Sequence, residues 1–162
     1  MVNKDEFRCA MSMFATGVTI VTTLADDERV HGITVNSFTS ISLTPPLIAI
    51  AIDQNATSHK LILSRKVFGV NILAASQQSI AQYFAMSPKP ETTNLPYQHA
   101  INSMGVPIIT DSLAFLGCHL VSSIDCSDHT IFIGRTEEVV LNEDLSPLIY
   151  YKSQFITKDL PN

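Results

Sequence analysis

The sequence predicts a mainly β fold, an antiparallel barrel with two or three short helices at its ends. Most segments rich in β-branched and aromatic residues follow one another in hairpin order and are separated by turn residues. The helical segments are short and do not alternate with the strands, which argues against a doubly wound parallel sheet. Because closure removes exposed strand edges, we expect a closed barrel.

The composition is typical of a globular protein with a buried core. The chain has 162 residues, of which 46% are hydrophobic and 15% are charged. This length predicts one domain over residues 1–162. The formal net charge of -5 argues against nucleic-acid binding, which draws on clustered cations. It leaves open a small phosphorylated ligand held by backbone dipoles.

The cysteines and the N-terminal residues predict a cytoplasmic protein. Cys9, Cys118 and Cys126 are too few and too sparse for a disulfide scaffold, and an odd count favours reduced thiols. Residues 1–6 are charged and lack the apolar stretch of a signal peptide. The apolar run 46–52 is far shorter than the ~20 residues that span a bilayer, so we expect no membrane association.

Three segments have the features of helices: residues 5–15, 57–63 and 76–85. In the first, Phe7, Met11 and Phe14 fall at helical spacing. In the third, Ser76 is a candidate N-cap.

Seven segments are expected to form strands: residues 18–24, 31–40, 47–52, 67–73, 113–124, 130–141 and 147–152. The segment 47–52 is apolar on both faces, which predicts a strand at the centre of the structure. Residues 87–112 are rich in proline, asparagine and threonine, so we expect a long irregular loop, of a length that is often functional or mobile.

A polar strand end at residues 34–40 is the first candidate site. Strict alternation would place Thr34, Asn36 and Phe38 on one face of the strand, and Val35 and Ser37 on the other. Hydroxyl and amide groups at the edge of a core either bind a polar ligand or form internal hydrogen bonds. A hydrated strand end with side chain–backbone bonds is the alternative.

The segment 53–60 is the second candidate, because it joins an apolar strand to a helix N-terminus. Free backbone N–H groups there, with the hydroxyls of Thr57 and Ser58, make an anion site, and Lys60 adds a positive charge nearby. An ordinary N-cap is the alternative. The sequence has no glycine-rich phosphate loop.

His129 is the third candidate, since it begins a strand directly after a turn and can face a cleft. It can hydrogen-bond a nucleotide or move a proton near neutral pH, or it is simply a surface histidine. Together with Cys118, His119 and Cys126 it matches no standard zinc motif, so no metal is expected. We find no serine–histidine–aspartate arrangement of a hydrolase either.

Six stretches resemble, in the same order, the short-chain flavin reductase family, whose fold is the FMN-binding split barrel. They are FATGVTIVTT at 14–23, HGITVNSFTSISLTPPL at 31–47, NATSH at 55–59, FGVNIL at 68–73, DHTIFIG at 128–134 and PLIYY at 147–151. The resemblance runs from about residue 7 to about residue 155. It implies an antiparallel Greek-key split barrel that binds FMN or FAD as a homodimer.

The resemblance also implies a set of cofactor-binding residues and no catalytic acid or base. Residues 34–37 would line the isoalloxazine edge, residues 51–53 would continue along the next strand, and Phe84 is a further flavin neighbour. The phosphate would lie near the N-terminus of the second helix, and the nicotinamide near His129 and Tyr150. The full set is Thr34, Val35, Asn36, Ser37, Ala51, Ile52, Asp53, Thr57, Ser58, Lys60, Phe84, His129 and Tyr150.

The implied activity is NADH- or NADPH-dependent reduction of FMN or FAD, by hydride transfer from nicotinamide C4 to flavin N5. Such chemistry asks the protein to stack two rings and set the electrostatics around them. The reduced flavin would go to a monooxygenase or another acceptor; the alternative is a flavin-binding or electron-transfer module without turnover. Ser127 and Arg135 depart from the glycine and the acidic residue frequent in the family, which leaves the choice of nicotinamide open.

Overall fold

Three α-helices and one 3-10 turn lie between the strands of the computed structural model, which describes residues 2–88, 96–142 and 144–157. They are α1 (Lys4–Ser12), α2 (Thr57–Arg65), the 3-10 turn (Ala75–Gln77) and α3 (Gln78–Ala85). The three predicted helices are confirmed. The expected cap at Ser76 is wrong, because the Gln77 side chain instead accepts the backbone N–H of Ala74 at 3.0 Å.

Twelve strands form three sheets within the described residues. They are β1 (Thr16–Gly17), β2 (Thr19–Leu24), β3 (Val30–Val35), β4 (Phe38–Leu43), β5 (Pro46–Asp53), β6 (Val67–Ile72), β7 (His99–Ile101), β8 (Pro107–Ile109), β9 (Ala114–Cys126), β10 (His129–Leu141), β11 (Ile149–Tyr151) and β12 (Gln154–Ile156). The main sheet has the order β3-β2-β6-β9-β10-β5-β4, and its neighbours pair antiparallel.

The two edge strands of this sheet, β3 and β4, follow each other in the chain and are joined by only Asn36 and Ser37. The sheet must therefore curl until its edges nearly meet. The backbone N–H of Ala51, on β5, donates to the carbonyl of Ser37 at 3.2 Å and holds the joint against the sheet. The barrel is split between β3 and β4, which corrects two expectations: a single strand over 31–40, and full closure.

Strand β5 lies between β10 and β4, but its two faces differ. Ile48, Ile50 and Ile52 are at most 4% exposed, whereas Ala49 and Ala51 on the other face are half-buried. Both faces are apolar, as the sequence indicates, but only the isoleucine face is fully buried. Small residues on the outer face leave room for a groove beside the strand.

Two apolar clusters fill the interior, one around Phe68 and Phe132 and the other around Leu73 and Phe84. The ring of Phe68, on β6, packs against the backbone of β10 at Gly134. A Cβ at position 134 would lie 2.6 Å from the Cζ of Phe68, so this contact needs a glycine.

Asn71 and Thr22 form a polar group inside this core, here called the interior network. Both residues are fully buried. The Asn71 amide donates to the Thr22 hydroxyl at 3.0 Å and accepts the backbone N–H of Ile109 at 2.7 Å, and the Thr22 hydroxyl donates to the carbonyl of Pro107 at 2.6 Å. The network ties β2 and β6 to β8.

The described part of the segment 87–112 is more regular than predicted, because β7 and β8 form a hairpin whose Val106 and Ile109 are buried. Residues 89–95 lie outside the described residues. Strands β9 and β10 form the long hairpin that the sequence predicts, with Ser127 in the left-handed region (φ 59°) at its turn. No helix in the described ranges is long and apolar enough to cross a membrane.

Candidate functional site

The break between β3 and β4 opens into a groove of about 430 Å³, here called the split groove. Its floor is the outer face of β5 with Ile131 of β10, and α1 with the chain after it forms one wall. The lining residues are Met11, Phe14, Thr16, Asn36, Ser37, Phe38, Thr39, Ala49, Ile50, Ala51 and Ile131. The walls are mostly apolar, with hydroxyl and amide groups at the break, which suits a flat, largely apolar ligand with polar edges.

Two smaller cavities, of about 220 Å³ each, adjoin the split groove. One is lined by Tyr150, Phe155 and Val35, among others, and the second by Thr16, Thr19 and neighbouring residues. Asn36 lines all three cavities. The predicted polar strand end therefore lies where these three cavities meet.

Several side chains of the predicted set line these cavities: Val35, Asn36, Ser37, Ala51 and Tyr150. The Ser37 hydroxyl donates to the carbonyl of Ala51 at 2.8 Å, which fixes the side chain against β5.

Thr34 also lines one of the smaller cavities, but its hydroxyl donates to the carbonyl of Ala81 at 2.6 Å and thereby anchors α3.

Three predicted residues instead turn their side chains into the core. Ile52 is 1% exposed, Phe84 is 2% exposed and Ser58 is 1% exposed. The inward face of β5 takes Ile52, and Phe84 packs in the second apolar cluster while its neighbour Ala85 lines a cavity. A ligand in the groove would meet these positions through backbone atoms only.

The N-terminus of α2 presents free backbone N–H groups. Its N-cap, Ala56, forms no side-chain hydrogen bond to them, and Thr57 and Lys60 are exposed. The preceding loop is held by Asp53, whose carboxylate accepts the backbone N–H of Asn55 at 2.7 Å. The N–H of His59 donates to the carbonyl of Ala56 at 3.1 Å, so within the described residues it is the N–H groups of Thr57 and Ser58 that remain, with the helix dipole, available to an anion.

Two histidine–hydroxyl contacts hold the same turn of α2, here called the clamp pairs. The Ser58 hydroxyl lies 2.9 Å from Nε2 of His31, on β3. On the other side, Nε2 of His59 lies 2.9 Å from the hydroxyl of Thr130, on β10, and that hydroxyl donates to Asp125 at 2.8 Å.

His129 begins β10 directly opposite Asp53 of β5 and is about half exposed. Its Nδ1 lies 2.8 Å from a carboxylate oxygen of Asp128, and this hydrogen bond is the main cause of the lowered pKa of the Asp128 carboxyl. The edge next to His129 is therefore acidic.

Arg135 lies six positions further along β10, roughly 20 Å along an extended strand. Its guanidinium contacts one carboxylate oxygen of Glu137 through two nitrogens, at 2.6 and 3.0 Å. The departure at position 135 therefore does not place a cation at His129.

Thr16 is a groove residue that the sequence analysis did not select. Its hydroxyl oxygen is buried and has no hydrogen-bond partner among the residues that the structure describes, and the residue lines two of the three cavities. A buried hydroxyl without a partner costs about 1–3 kcal/mol. Nothing in the sequence marks it beyond its place in the FATG stretch, because its position follows from the pairing of Thr16 with Tyr150.

Residues 11–158 match the family described as flavin reductase like domain. The chain belongs to this family. The match covers both strands that flank the break, the first turn of α2 and the β9–β10 hairpin, so the whole of the site described above lies within it.

Characterised flavin reductases are similar to this chain over nearly their whole length. An NADH-dependent flavin reductase of a Rhodococcus species is 36% identical over 156 residues, 94% of this chain and 85% of the relative. The styrene monooxygenase flavin reductase of Pseudomonas putida S12 is 32% identical with a TM-score of 0.87, over 96% of this chain and 99% of that structure.

The NADH:FAD oxidoreductase SgcE6 of Streptomyces globisporus, solved in complex with NAD and FAD fragments, is 28% identical. Its TM-score is 0.88, over 99% of this chain and 94% of that structure. Together with the family match, these similarities confirm the resemblance seen in the sequence, the antiparallel split-barrel fold and the enzyme class, a flavin oxidoreductase.

Proposed function

We propose that this flavin reductase-like protein reduces FMN or FAD with NADH or NADPH and releases the reduced flavin to a monooxygenase. The observation that carries the proposal is the split groove, where three cavities meet at Asn36 in a chain of this family. The groove is long, apolar along its floor and polar at its break, and it leads along β5 towards the free N–H groups of α2.

The split groove holds the isoalloxazine ring. Ala49 and Ala51 provide a flat floor on which a ring can lie, since larger side chains there would fill the space. The amide of Asn36 and the backbone of Ser37 stand at the break, where they face the polar edge of the ring. The unpartnered hydroxyl of Thr16 lies beside them and suits the same edge.

The first turn of α2 binds the flavin phosphate. Asp53 ends β5 two residues after Ala51, a distance of roughly 7 Å along an extended strand, so a ribityl chain starting over Ala51 runs towards Thr57. Backbone N–H groups and the Thr57 hydroxyl would bind the phosphate, and Lys60 adds a positive charge. The Ser58 hydroxyl, turned inward, supports the turn instead.

His129 and Tyr150 face the nicotinamide from two sides of the site. The bound flavin supplies an acceptor for a hydride, and the donor ring must stack on it. His129, fixed by Asp128, offers its Nε2 to a polar group of the nucleotide. Tyr150, which packs against Phe155 at 5.3 Å between ring centroids, closes the opposite end of the site.

A homodimer completes the groove. The α1 helix has no buried residue within the chain, and its Phe7, Met11 and the following Phe14 are more than half exposed. The edge strand β4 and the far part of β9 also expose Leu43 and Ile124. Apolar area of this extent is typical of an interface, and part of it lines the split groove.

A monooxygenase partner is supported by the similarity to a styrene monooxygenase flavin reductase. A cytoplasmic location is supported by Cys9, Cys118 and Cys126, which are all free thiols.

Anaerobic stopped-flow absorbance at about 450 nm, the band of oxidised flavin, tests the function. Mixing the flavin-loaded protein with NADH should bleach the band. In a separate binding measurement, the protein should bind riboflavin more weakly than FMN. Bound flavin that stays oxidised with both NADH and NADPH would favour the alternative, a flavin-binding module without turnover. Failure to bind FMN, FAD and riboflavin would refute the proposal.

A further inference from the structure

Three groups of polar or charged side chains lie apart from the residues that line the split groove. A cavity near Ser112, whose hydroxyl is buried and has no partner within the described residues, mixes apolar side chains with Asp111 and Asn142, a set that does not select one ligand class. The exposed Arg135–Glu137 pair extends to Nε2 of His119, 3.4 Å from the second carboxylate oxygen of Glu137, and this exposed group of charges lines none of the cavities described above. The clamp pairs of α2 connect the proposed phosphate site with the strand that carries His129.

We propose that the clamp pairs position the phosphate-binding turn of α2, with Thr130 as the positioning residue that joins this turn to the nicotinamide side. This role rests on the proposed function. The turn has no side-chain N-cap of its own, and Ser58 and His59 connect it by side-chain hydrogen bonds to β3 and β10.

The hydrogen-bond directions in the Thr130 chain follow from the chemistry of its members. A hydroxyl has one hydrogen, and an ionised carboxylate only accepts, so Thr130 donates to Asp125 at 2.8 Å. Its oxygen then accepts from His59, which must carry a hydrogen on Nε2, and at the longer distance of 3.5 Å from the side-chain amide of Gln54. The structure thus assigns one tautomer to His59. The hydrogen bonds then run in one direction, from His59 on α2 through Thr130 to Asp125 on the β9–β10 hairpin.

Burial makes this contact specific. Thr130 is 1% exposed, and the ring of His59 packs against Phe132 with centroids 5.2 Å apart. Water therefore competes weakly for the Thr130 oxygen, and loss of the hydroxyl leaves His59 Nε2–H without this acceptor.

The Ser58 contact acts on the other side of the turn. Ser58 and His59 are adjacent in the helix, yet their side chains reach β3 and β10, two strands that are not neighbours in the main sheet. Two contacts in different directions fix both the position and the rotation of the first turn. The N–H groups of that turn therefore keep a constant placement relative to His129, which directly precedes Thr130.

Phosphate-selective affinity tests the proposal, because riboflavin shares the ring of FMN and lacks its phosphate. Thr130→Val keeps the β-branched shape and removes the hydroxyl. We expect FMN to bind about fivefold more weakly, as for the loss of one hydrogen bond, and riboflavin to change by less than about twofold. Thr130→Ser should restore FMN affinity. The matched control is Thr136→Val, on the same strand, whose hydroxyl contacts the Cys118 sulfur at 3.6 Å; it should change neither affinity.

Ring-nitrogen NMR provides a second measurement. His59 should be protonated on Nε2 in the wild type and in Thr130→Ser, and this preference should be lost in Thr130→Val. If Thr130→Val does not fold, Ser58→Ala tests the other clamp pair, with the same selective loss of FMN affinity expected.

Equal weakening of FMN and riboflavin, or unchanged FMN affinity with a lost tautomer preference, would overturn the positioning role while leaving the proposed function in place. A wild-type protein that binds neither ligand would overturn the proposed function and this role together.

Discussion

The interior network and the clamp pairs use similar groups, a hydroxyl and a planar nitrogen-bearing side chain, but they differ in where the hydrogen bonds end. Asn71 and Thr22 are fully buried and bond only to each other and to the backbone. In the clamp pairs, the chain from His59 through Thr130 ends on Asp125, which is exposed. A polar network closed on itself fixes the fold, whereas one that ends at the surface can set the geometry of a ligand site.

The largest expected effect is on stability, from Asn71→Ala. This change leaves Thr22 and the backbone N–H of Ile109 without their buried partner and creates a cavity. The free energy of unfolding should fall by about 3 kcal/mol, which urea denaturation measures. Flavin reduction per folded molecule should stay unchanged. A variant that kept its stability but lost flavin affinity would break the distinction between the two networks.

His129→Ala should have the next largest effect, on turnover. Without the contact to the nucleotide, anaerobic reduction of bound flavin by NADH should slow about tenfold, the value of one strong hydrogen bond. Flavin affinity, measured by fluorescence quenching, should stay within about twofold because His129 lies beyond the ring site. An equal loss of flavin binding would contradict this role.

Thr16→Val and Thr19→Val form a matched pair that separates an unpartnered hydroxyl from a partnered one. The Thr16 hydroxyl has no partner, whereas that of Thr19 donates to the carbonyl of Val35 at 3.0 Å. In thermal or urea unfolding without flavin, the free energy of unfolding should rise by about 1 kcal/mol in Thr16→Val and fall by about 1 kcal/mol in Thr19→Val. We also expect Thr16→Val to bind flavin more weakly. Changes in stability of the same sign would show that the Thr16 hydroxyl is satisfied.

Asp128→Asn should have the smallest effect, on the choice of nicotinamide. The Asp128 carboxyl, whose pKa the His129 hydrogen bond lowers further, is ionised at neutral pH in any case, and its charge repels the additional phosphate of NADPH. Removing this charge should raise kcat/KM for NADPH relative to NADH by about twofold at low salt, and less at high salt, since the group is exposed. Asp26→Asn, in the β2–β3 turn, is the control and should leave the ratio unchanged.

The sequence predicted the strands and their antiparallel pairing well, because long β-branched runs between turn residues determine local structure. It did not predict the break at residues 36 and 37. The alternation of side chains continues through this segment, and only the curvature of the whole sheet decides that the chain leaves one edge and starts the other.

The same reason explains why the side chains of the predicted site residues lie in different places. Asn36, Ser37 and Ala51 do line the split groove, since a polar segment beside small residues marks an open face. Ser58 and Phe84 were selected as ligand contacts, but helix packing turns both side chains inward. Which face of a short helix is buried depends on the partners that surround it, and a run of alternating residue types does not contain that information.

The missing ladder between β3 and β4 has a mechanical consequence. In a fully closed barrel, an increase in circumference must break the backbone hydrogen bonds between one pair of neighbouring strands. Here the two edge strands are not hydrogen-bonded to each other in the main sheet. A change in the distance between them therefore breaks none of the strand pairings of that sheet. The main sheet therefore has one unpaired seam, and the split groove opens at this seam.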